Sequence, residues 1–121
     1  EKKDINEDKN MLYDLNEIRA LSDGDSDFEL AVISMFVEIS IECIDVFEQA
    51  KRENEIEKIK QMAHKIKPSI AQLHIHAIQD VLFELEKTEA SHIIPDVITK
   101  IDKVIATLKE VNSALEKEFG L

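Results

Sequence analysis

The sequence predicts an all-α protein, an antiparallel four-helix bundle with a short additional N-terminal helix. Its 121 residues include only two glycines and two prolines, so the tight turns of a β-sandwich or barrel are missing. Hydrophobic residues make up 44% and charged residues 34%, a composition typical of long helices. Apolar residues recur at spacings of three and four over most of the chain, which is the period of a helix face.

The chain divides into a polar leader, residues 1–10, and a helical domain, residues 11–121. The leader is almost wholly polar, and we expect it to be a flexible arm or the end of a linker. A short helix then runs from about Tyr13 to Leu21, ending at a polar loop that contains Gly24. Its apolar residues lie on one side: Met11, Leu15 and Ile18.

The second helix runs from Ser26 to about Lys51 and is broadly apolar. Ser26 and Glu29 have the spacing of a capping box at its start. One buried stripe is predicted at Phe28, Val32, Met35, Ile39, Cys43, Val46 and Ala50. A second apolar set widens it: Leu30, Ile33, Val37, Ile41 and Ile44. Such width fits a central helix of the bundle, or a helix whose apolar surface is partly exposed to a partner.

Three more helices complete the bundle. The third begins near Asn54, and its predicted core positions are Ile56, Ile59, Ala63, Ile66, Ile70 and Leu73. The fourth spans about His76 to Lys87, with Ile78, Leu82 and Leu85 facing inward. Pro95 suits the first turn of the fifth helix. That helix carries a regular apolar stripe at Ile94, Val97, Ile101, Val104, Leu108, Val111 and Leu115.

Charge and cysteine content exclude several classes of function. Fifteen Lys and Arg against 26 Asp and Glu give a formal net charge of −11, which repels nucleic acid and anionic lipid. The single Cys43 lies in an apolar run and is expected to be a reduced core thiol. No apolar stretch approaches the ~20 residues that a membrane helix needs. We therefore expect a cytoplasmic protein with neither nucleic acid nor membrane as a partner.

The histidines are the residues most able to carry chemistry. His74 and His76 are two apart, so on a helix they point about 200° away from each other and cannot share a metal ion. No metal site is predicted. His74 follows the last core residue of the third helix, where the chain must turn, and histidine tolerates the left-handed conformation better than most residues.

His64 lies at the edge of the core stripe of the third helix and is predicted to face outward. Lys60 lies four residues before it and Lys67 three residues after it, so all three share one ridge. Two cations beside an imidazole disfavour its protonated form and leave a nitrogen lone pair free to act as a nucleophile. The other interpretation is an ordinary solvated helix face, since lysines are common there.

The run from Ala63 to Ser69, with Leu73 after it, resembles the motif of the histidine phosphotransfer (HPt) domain family. Further similarities are Asp14-Leu15, Gly24-Asp25, Phe36 and Leu85-Glu86, and the resemblance extends from about Tyr13 to the C-terminus. It implies that His64 is the phosphoacceptor, that Lys67 stabilises the phosphoryl group, and that Ser69 occupies a small polar position. Pro68 and His74 stand where the family usually has glycine.

The resemblance implies a phosphorelay intermediate, which accepts a phosphoryl group from the aspartate of one receiver domain and passes it to another. Mg²⁺ would belong to the partner receiver, and no cofactor is expected on this chain, which we expect to be monomeric. With only Gly24 and Gly120 the chain has no Gly-rich nucleotide loop, so it is not expected to be a kinase. The docking surface would include Ile18, Phe28 and Val32, although each also fits the core.

Two alternatives remain open from the sequence. One is a helical adapter or dimerisation module in which the broad second helix binds a partner and His64 is incidental. The other is the C-terminal HPt segment of a hybrid sensor histidine kinase, which would fit a chain that begins with Glu1 rather than Met.

Overall fold

A computed structural model describes residues 11–121 as five helices with no strand in that range. They are α1 (Asn16–Ser22), α2 (Ser26–Glu53), α3 (Ile56–Gln72), α4 (His76–Lys87) and α5 (Pro95–Phe119). Helix α2 packs on α3, α3 on α4, α4 on α5, and α5 returns to α2, while α1 packs on α2. The predicted all-α bundle with a short leading helix is confirmed. The predicted leader, residues 1–10, lies outside the described residues.

The predicted core of the last three helices is confirmed. Every predicted position of α3 and α4 is buried, from Ile56 through Leu85. In α5 the stripe from Val97 to Leu115 is buried, while Ile94 caps the helix and is half-buried. Pro95 occupies the first turn of α5, where its missing N–H costs no helical hydrogen bond.

The predicted stripe of α2 is wrong in its first half. Phe28 is 45% exposed and Met35 is 68% exposed. A different face of the helix packs into the interior of the bundle. The buried residues of α2 are Ile33, Phe36, Val37, Ser40, Cys43, Ile44, Phe47 and Ala50. Ser40 places a polar residue on this buried face. The neighbouring face has apolar residues at every position of the predicted stripe, so its helical period is the stronger one in the sequence.

Helix α1 is held by hydrogen bonds to three neighbouring segments. Arg19 donates to Glu29 of α2 at 3.0 Å and to Glu118 of α5 at 2.9 Å. The hydroxyl of Tyr13 also donates to Glu118, and burial together with this carboxylate raises the pKa of Tyr13 to about 12. The backbone N–H of Asp14 donates to the carbonyl of Leu73 at the end of α3. These contacts fix a seven-residue helix that is too short to be stable alone.

Two details at α1 and the start of α2 correct the sequence predictions. Ile18 lies on the inner face of α1 and is fully buried. The prediction that it belongs to a docking surface is therefore wrong. The N-cap of α2 is Asp25, whose carboxylate accepts from the N–H of Phe28, and Ser26 is the first helical residue. The predicted capping box is therefore not formed, because Glu29 pairs with Arg19.

Residues with left-handed backbone conformation end several helices. They let the chain reverse direction, so that consecutive helices pack against each other. Asp23, Asn54 and Gly120 close α1, α2 and α5 with φ of 49°, 57° and 69°. His74, in the turn from α3 to α4, has φ of 54°, so the predicted left-handed histidine is confirmed. Cys43 is fully buried in α2, and burial raises the pKa of its thiol to about 12, as expected for an unreactive core cysteine.

Candidate functional site

His64 lies in the middle of α3 and points away from the core. Its neighbours Ala63 and Ile66 are fully buried, whereas the side chain of His64 is 73% exposed. Exposure follows from the helical period, because residues on either side of a buried stripe are turned toward solvent. The imidazole is therefore accessible to another protein.

One ring nitrogen of His64 is held by Glu86 of α4. The Nδ1 atom lies 2.5 Å from Oε2 of Glu86. A carboxylate accepts hydrogen bonds, so in the neutral imidazole this contact favours the tautomer with the proton on Nδ1. The lone pair then resides on Nε2. Glu86 thus fixes both the orientation of the ring and the nitrogen that can act as a nucleophile.

Lys67 contacts the other oxygen of the same carboxylate. Its ammonium group makes an ion pair with Oε1 of Glu86 and lies 5.3 Å from the centre of the Phe83 ring. Lys67 and, secondarily, His64 hold the pKa of Glu86 below its usual range through their hydrogen bonds. Glu86 therefore joins the imidazole and the ammonium in one hydrogen-bonded group.

The predicted ridge of two lysines beside the imidazole is only partly present. Lys67 reaches the carboxylate that holds the ring, but within residues 11–121 Lys60 makes no hydrogen bond or ion pair with His64 or Glu86. The nearest charged partner of His64 is the negative Glu86, which the sequence argument did not include. The predicted positive environment of the ring is corrected accordingly.

Pro68 lies inside α3, one turn after His64. The helix continues through Pro68 to Gln72. Proline has no N–H, so the carbonyl of His64 lacks its usual helical donor. Pro68 lines a groove between α3 and α4 with a volume of about 430 Å³, together with His64, Lys67, Gln79 and Phe83. Phe83 is 52% exposed at this groove.

A second groove, the α2–α3 groove, lies on the other side of the α3 ridge and is mostly apolar. Its volume is about 430 Å³, and its lining includes Val32, Met35, Ile39 and Ser69. Lys65 spans it to Glu42 at 2.8 Å. Of the predicted docking residues, Val32 is half-buried in this groove and Phe28 is exposed one helical turn before Val32. His64 itself lines the α3–α4 groove, whereas the α2–α3 groove is lined by Lys65 and Ser69 of the same helix.

The other three histidines have ordinary partners, and that of His92 is the hydroxyl of Ser91, 3.1 Å from its Nδ1. Nε2 of His74 lies 3.0 Å from Oε1 of Glu17, which ties α1 to the α3–α4 turn. Nδ1 of His76 lies 3.1 Å from Oε1 of Gln79. Among residues 11–121, no three His, Cys, Asp or Glu side chains form a group that could hold a metal ion.

Sequence reasoning missed the role of Glu86, which entered only in the pair Leu85-Glu86 as one of the similarities to the HPt family. A usable signal was present. His64 precedes Ile75, in the turn between α3 and α4, by as many residues as Glu86 follows it. In an antiparallel helix pair, residues equally distant from the turn lie at the same level, so a carboxylate opposite His64 could have been predicted.

Comparison with protein families gives one result. The family model described as the Hpt domain matches residues 31–116. This range contains most of α2, all of α3 and α4, and most of α5, including His64, Lys67 and Glu86. Neither the curated proteins nor the solved structures give a match. In the part of the chain that the structure describes, no helix combines the length and apolar character required to cross a bilayer.

Proposed function

The chain belongs to the Hpt domain family, and on that premise we propose that His64 accepts a phosphoryl group from a receiver-domain aspartate and passes it to another receiver. The observation that carries the proposal is the placement of His64, which is exposed at the rim of the α3–α4 groove with its Nδ1 held by Glu86, while its Nε2 has no hydrogen-bond partner among residues 11–121. Family membership supports a role in phosphorelay signalling. The residue and the relay between two receivers are our assignments.

The chemistry requires little more than a nucleophile and charge compensation. The lone pair of His64 Nε2 attacks the phosphorus of an aspartyl phosphate in line with the leaving oxygen. The N–P bond forms as the P–O bond breaks, and the bonding electrons of the latter return to the aspartate carboxylate. The Nδ1 proton stays on the ring, which becomes cationic and faces Glu86. Lys67 offsets the charge of the phosphoryl oxygens.

The donor in this proposal is a phosphorylated receiver and not a nucleotide. The chain contains two glycines, at positions 24 and 120, and neither lies near His64 in the sequence, so it has no Gly-rich loop to cradle nucleotide phosphates. Mg²⁺ would be bound by the acidic pocket of the receiver, where it would neutralise charge on the phosphoryl oxygens. The chain is then a phosphotransfer module that depends on its partners for both donor and metal.

We assign receiver docking to the α2–α3 groove and the exposed apolar residues beside it. Met35 and Phe28 are exposed, and Val32 and Ile39 are half-buried on the same face of α2. Lys65 and Ser69 connect the groove to the ridge of His64 on α3. An apolar patch with a polar rim suits a small, transient interface, which a relay needs in order to release each partner.

A buried or blocked His64 would have supported the adapter alternative, and its side chain is instead 73% exposed. The proposed chemistry at His64 is the same for a domain that acts alone and for a segment of a hybrid sensor kinase.

The direct test is phosphotransfer from a ³²P-labelled receiver domain to the purified protein. We expect acid-labile, base-stable label on the wild type and none on His64→Gln. His76→Gln is the matched control, because His76 is an exposed histidine on α4 whose loss should leave labelling intact. Label that persists in His64→Gln would overturn the assignment of the phosphoacceptor.

A further inference from the structure

His74 and His76 form a pair of histidines beyond the end of α3, where the chain turns into α4. Their ring centres lie 5.8 Å apart, with the ring planes inclined by 67°. Both side chains line one small cavity of about 140 Å³, together with Met11, Tyr13 and Asp14. The structure therefore brings two imidazoles to the same space.

The sequence prediction that these histidines cannot share a metal ion assumed that both lie on one helix. Only His76 does, as the first residue of α4. His74 lies in the preceding turn and has a left-handed backbone with φ of 54°. The turn changes the direction of its side chain, so the separation of about 200° expected along a helix does not apply.

The distance between the two rings is suitable for a shared ion. Zn–N bonds are about 2.0–2.1 Å long, so two imidazoles on one ion have ring centres about 4.5–6.5 Å apart, depending on the bond angle. The observed 5.8 Å lies in this range. An edge-to-face pair of rings without an ion has similar distances, so a second observation has to distinguish the two.

The hydrogen bonds of the two rings supply that observation. Nε2 of His74 lies 3.0 Å from Oε1 of Glu17, and Nδ1 of His76 lies 3.1 Å from Oε1 of Gln79. Histidines that bind metals usually donate their other ring N–H to such an oxygen, which fixes the orientation and the tautomer of the ring. Within residues 11–121, neither Nδ1 of His74 nor Nε2 of His76 has a hydrogen-bond partner.

We propose that Nδ1 of His74 and Nε2 of His76 together bind one divalent transition-metal ion, such as Zn²⁺. Imidazole nitrogen suits Zn²⁺, Ni²⁺ and Cu²⁺, whereas Mg²⁺ and Ca²⁺ prefer oxygen ligands. In the described part of the chain no group of three His, Cys, Asp or Glu side chains is present, so water fills the remaining positions of the ion. The formal net charge of −11 favours the approach of a cation.

The bound ion would strengthen the attachment of α1 to the end of α3. A cation on one nitrogen of His74 withdraws electrons from the ring, so the opposite N–H donates more strongly to Glu17 of α1. The backbone N–H of Asp14 already donates to the carbonyl of Leu73 in the same region, at 2.8 Å. This role does not involve the phosphoacceptor, so the inference does not rest on the proposed function.

The site can be tested by titrating the purified protein with Zn²⁺ alone, followed by calorimetry and by NMR of the histidine rings. We expect the first equivalent to change the ring signals of His74 and His76. His76→Gln should lower the affinity about tenfold or more, and so should His74→Asn, which keeps a residue that tolerates the left-handed backbone. His92→Gln, at an exposed histidine outside the cavity, should bind as the wild type does.

Three results would overturn the site. They are the absence of Zn²⁺ binding, first changes at His64 or His92 instead of the pair, and equal affinity of His76→Gln and His92→Gln. The test is separate from that of phosphotransfer. His64→Gln should keep its affinity for Zn²⁺ while it loses the phosphoryl label, and His76→Gln should do the reverse.

A variant of the orienting carboxylate distinguishes a folded site from a flexible pair of histidines. Glu17 is 57 residues from His74 in the chain and reaches it only in the folded protein. Glu17→Ala should lower the affinity for Zn²⁺ by about tenfold. Glu110→Ala removes the same charge at an exposed position of α5 and should change the affinity by less than about twofold. Equal affinities of these two variants would overturn the preorganised site.

Discussion

The Nδ1 atom of His64 lies 2.5 Å from a carboxylate oxygen of Glu86, a residue of the next helix. This contact leaves Nε2 as the exposed nitrogen and brings Lys67 into the same hydrogen-bonded group through the second carboxylate oxygen. Which ring nitrogen contacts the protein and which stays exposed is therefore determined by the pairing of α3 with α4.

The ion pair of Glu86 should persist in mildly acidic solution. Lys67 and then His64 lower the pKa of Glu86 from the ordinary 4.5, so this contact stabilises the folded protein above that value. The contribution is lost only as the pH falls through the lowered folded-state pKa. An NMR titration of the Glu86 carboxyl carbon should give a midpoint below 4.5.

Substitution of the lysine should reverse that shift. Lys67→Met removes the largest cause of the lowered pKa, so the midpoint of Glu86 should move up toward the ordinary value. Lys65→Met removes a lysine from the same helix that pairs with Glu42, and it should leave the midpoint unchanged. A Glu86 midpoint that is insensitive to Lys67→Met would contradict the ion pair.

The α2–α3 groove should be required for transfer from a receiver and dispensable for a small donor. Met35→Lys places a charge in the centre of the apolar patch and should lower transfer from a phosphorylated receiver by roughly tenfold. Labelling by phosphoramidate should be unchanged. Ile41→Lys, a control at an exposed apolar position of α2 outside the groove, should change receiver transfer by less than about twofold.

Comparing transfer from a phosphorylated receiver with labelling by phosphoramidate distinguishes a docking defect from a loss of reactivity at His64. If Met35→Lys and Ile41→Lys reduce receiver transfer equally, the groove is not the docking surface. Circular dichroism of both variants would verify that the helices remain intact.

Restoring an N–H at position 68 should stabilise the protein. Pro68→Ala supplies a donor for the carbonyl of His64 and removes the clash of the proline ring, which should raise the free energy of unfolding by about 1–3 kcal/mol. Pro68→Gly restores the same donor but should gain about 1 kcal/mol less, because glycine loses more backbone entropy. Urea unfolding would measure both changes, and a loss of stability in Pro68→Ala would refute this account.

Two phenylalanines should differ sharply in their contribution to stability. Phe47 is fully buried in the bundle, so Phe47→Ala leaves a cavity and should lower the free energy of unfolding by about 3–5 kcal/mol. Phe83 is 52% exposed beside the site, and Phe83→Ala should cost less than about 1 kcal/mol. Urea unfolding curves with equal midpoints for the two variants would be inconsistent with this burial.

The buried residues were predicted correctly in those helices that carry a single, uninterrupted apolar stripe. In α3, α4 and α5 the periodicity identified the buried residues, because each of these helices has a polar face that leaves a single choice. Helix α2 has apolar residues on several faces, and Ser40 interrupts the one that is buried. Local periodicity therefore selected the neighbouring face with Phe28 and Met35, which the bundle leaves exposed.

The sequence by itself determined the all-helical bundle and the outward position of His64 with Lys67 one turn away, because both follow from the 3.6-residue period of a single helix. Tertiary structure decided which face of α2 is buried, that Ile18 is a core residue, and that Glu86 holds both His64 and Lys67. These contacts join residues far apart in the chain. They depend on how the turns at Asn54 and His74 set one helix against the next, which no local pattern of residues specifies.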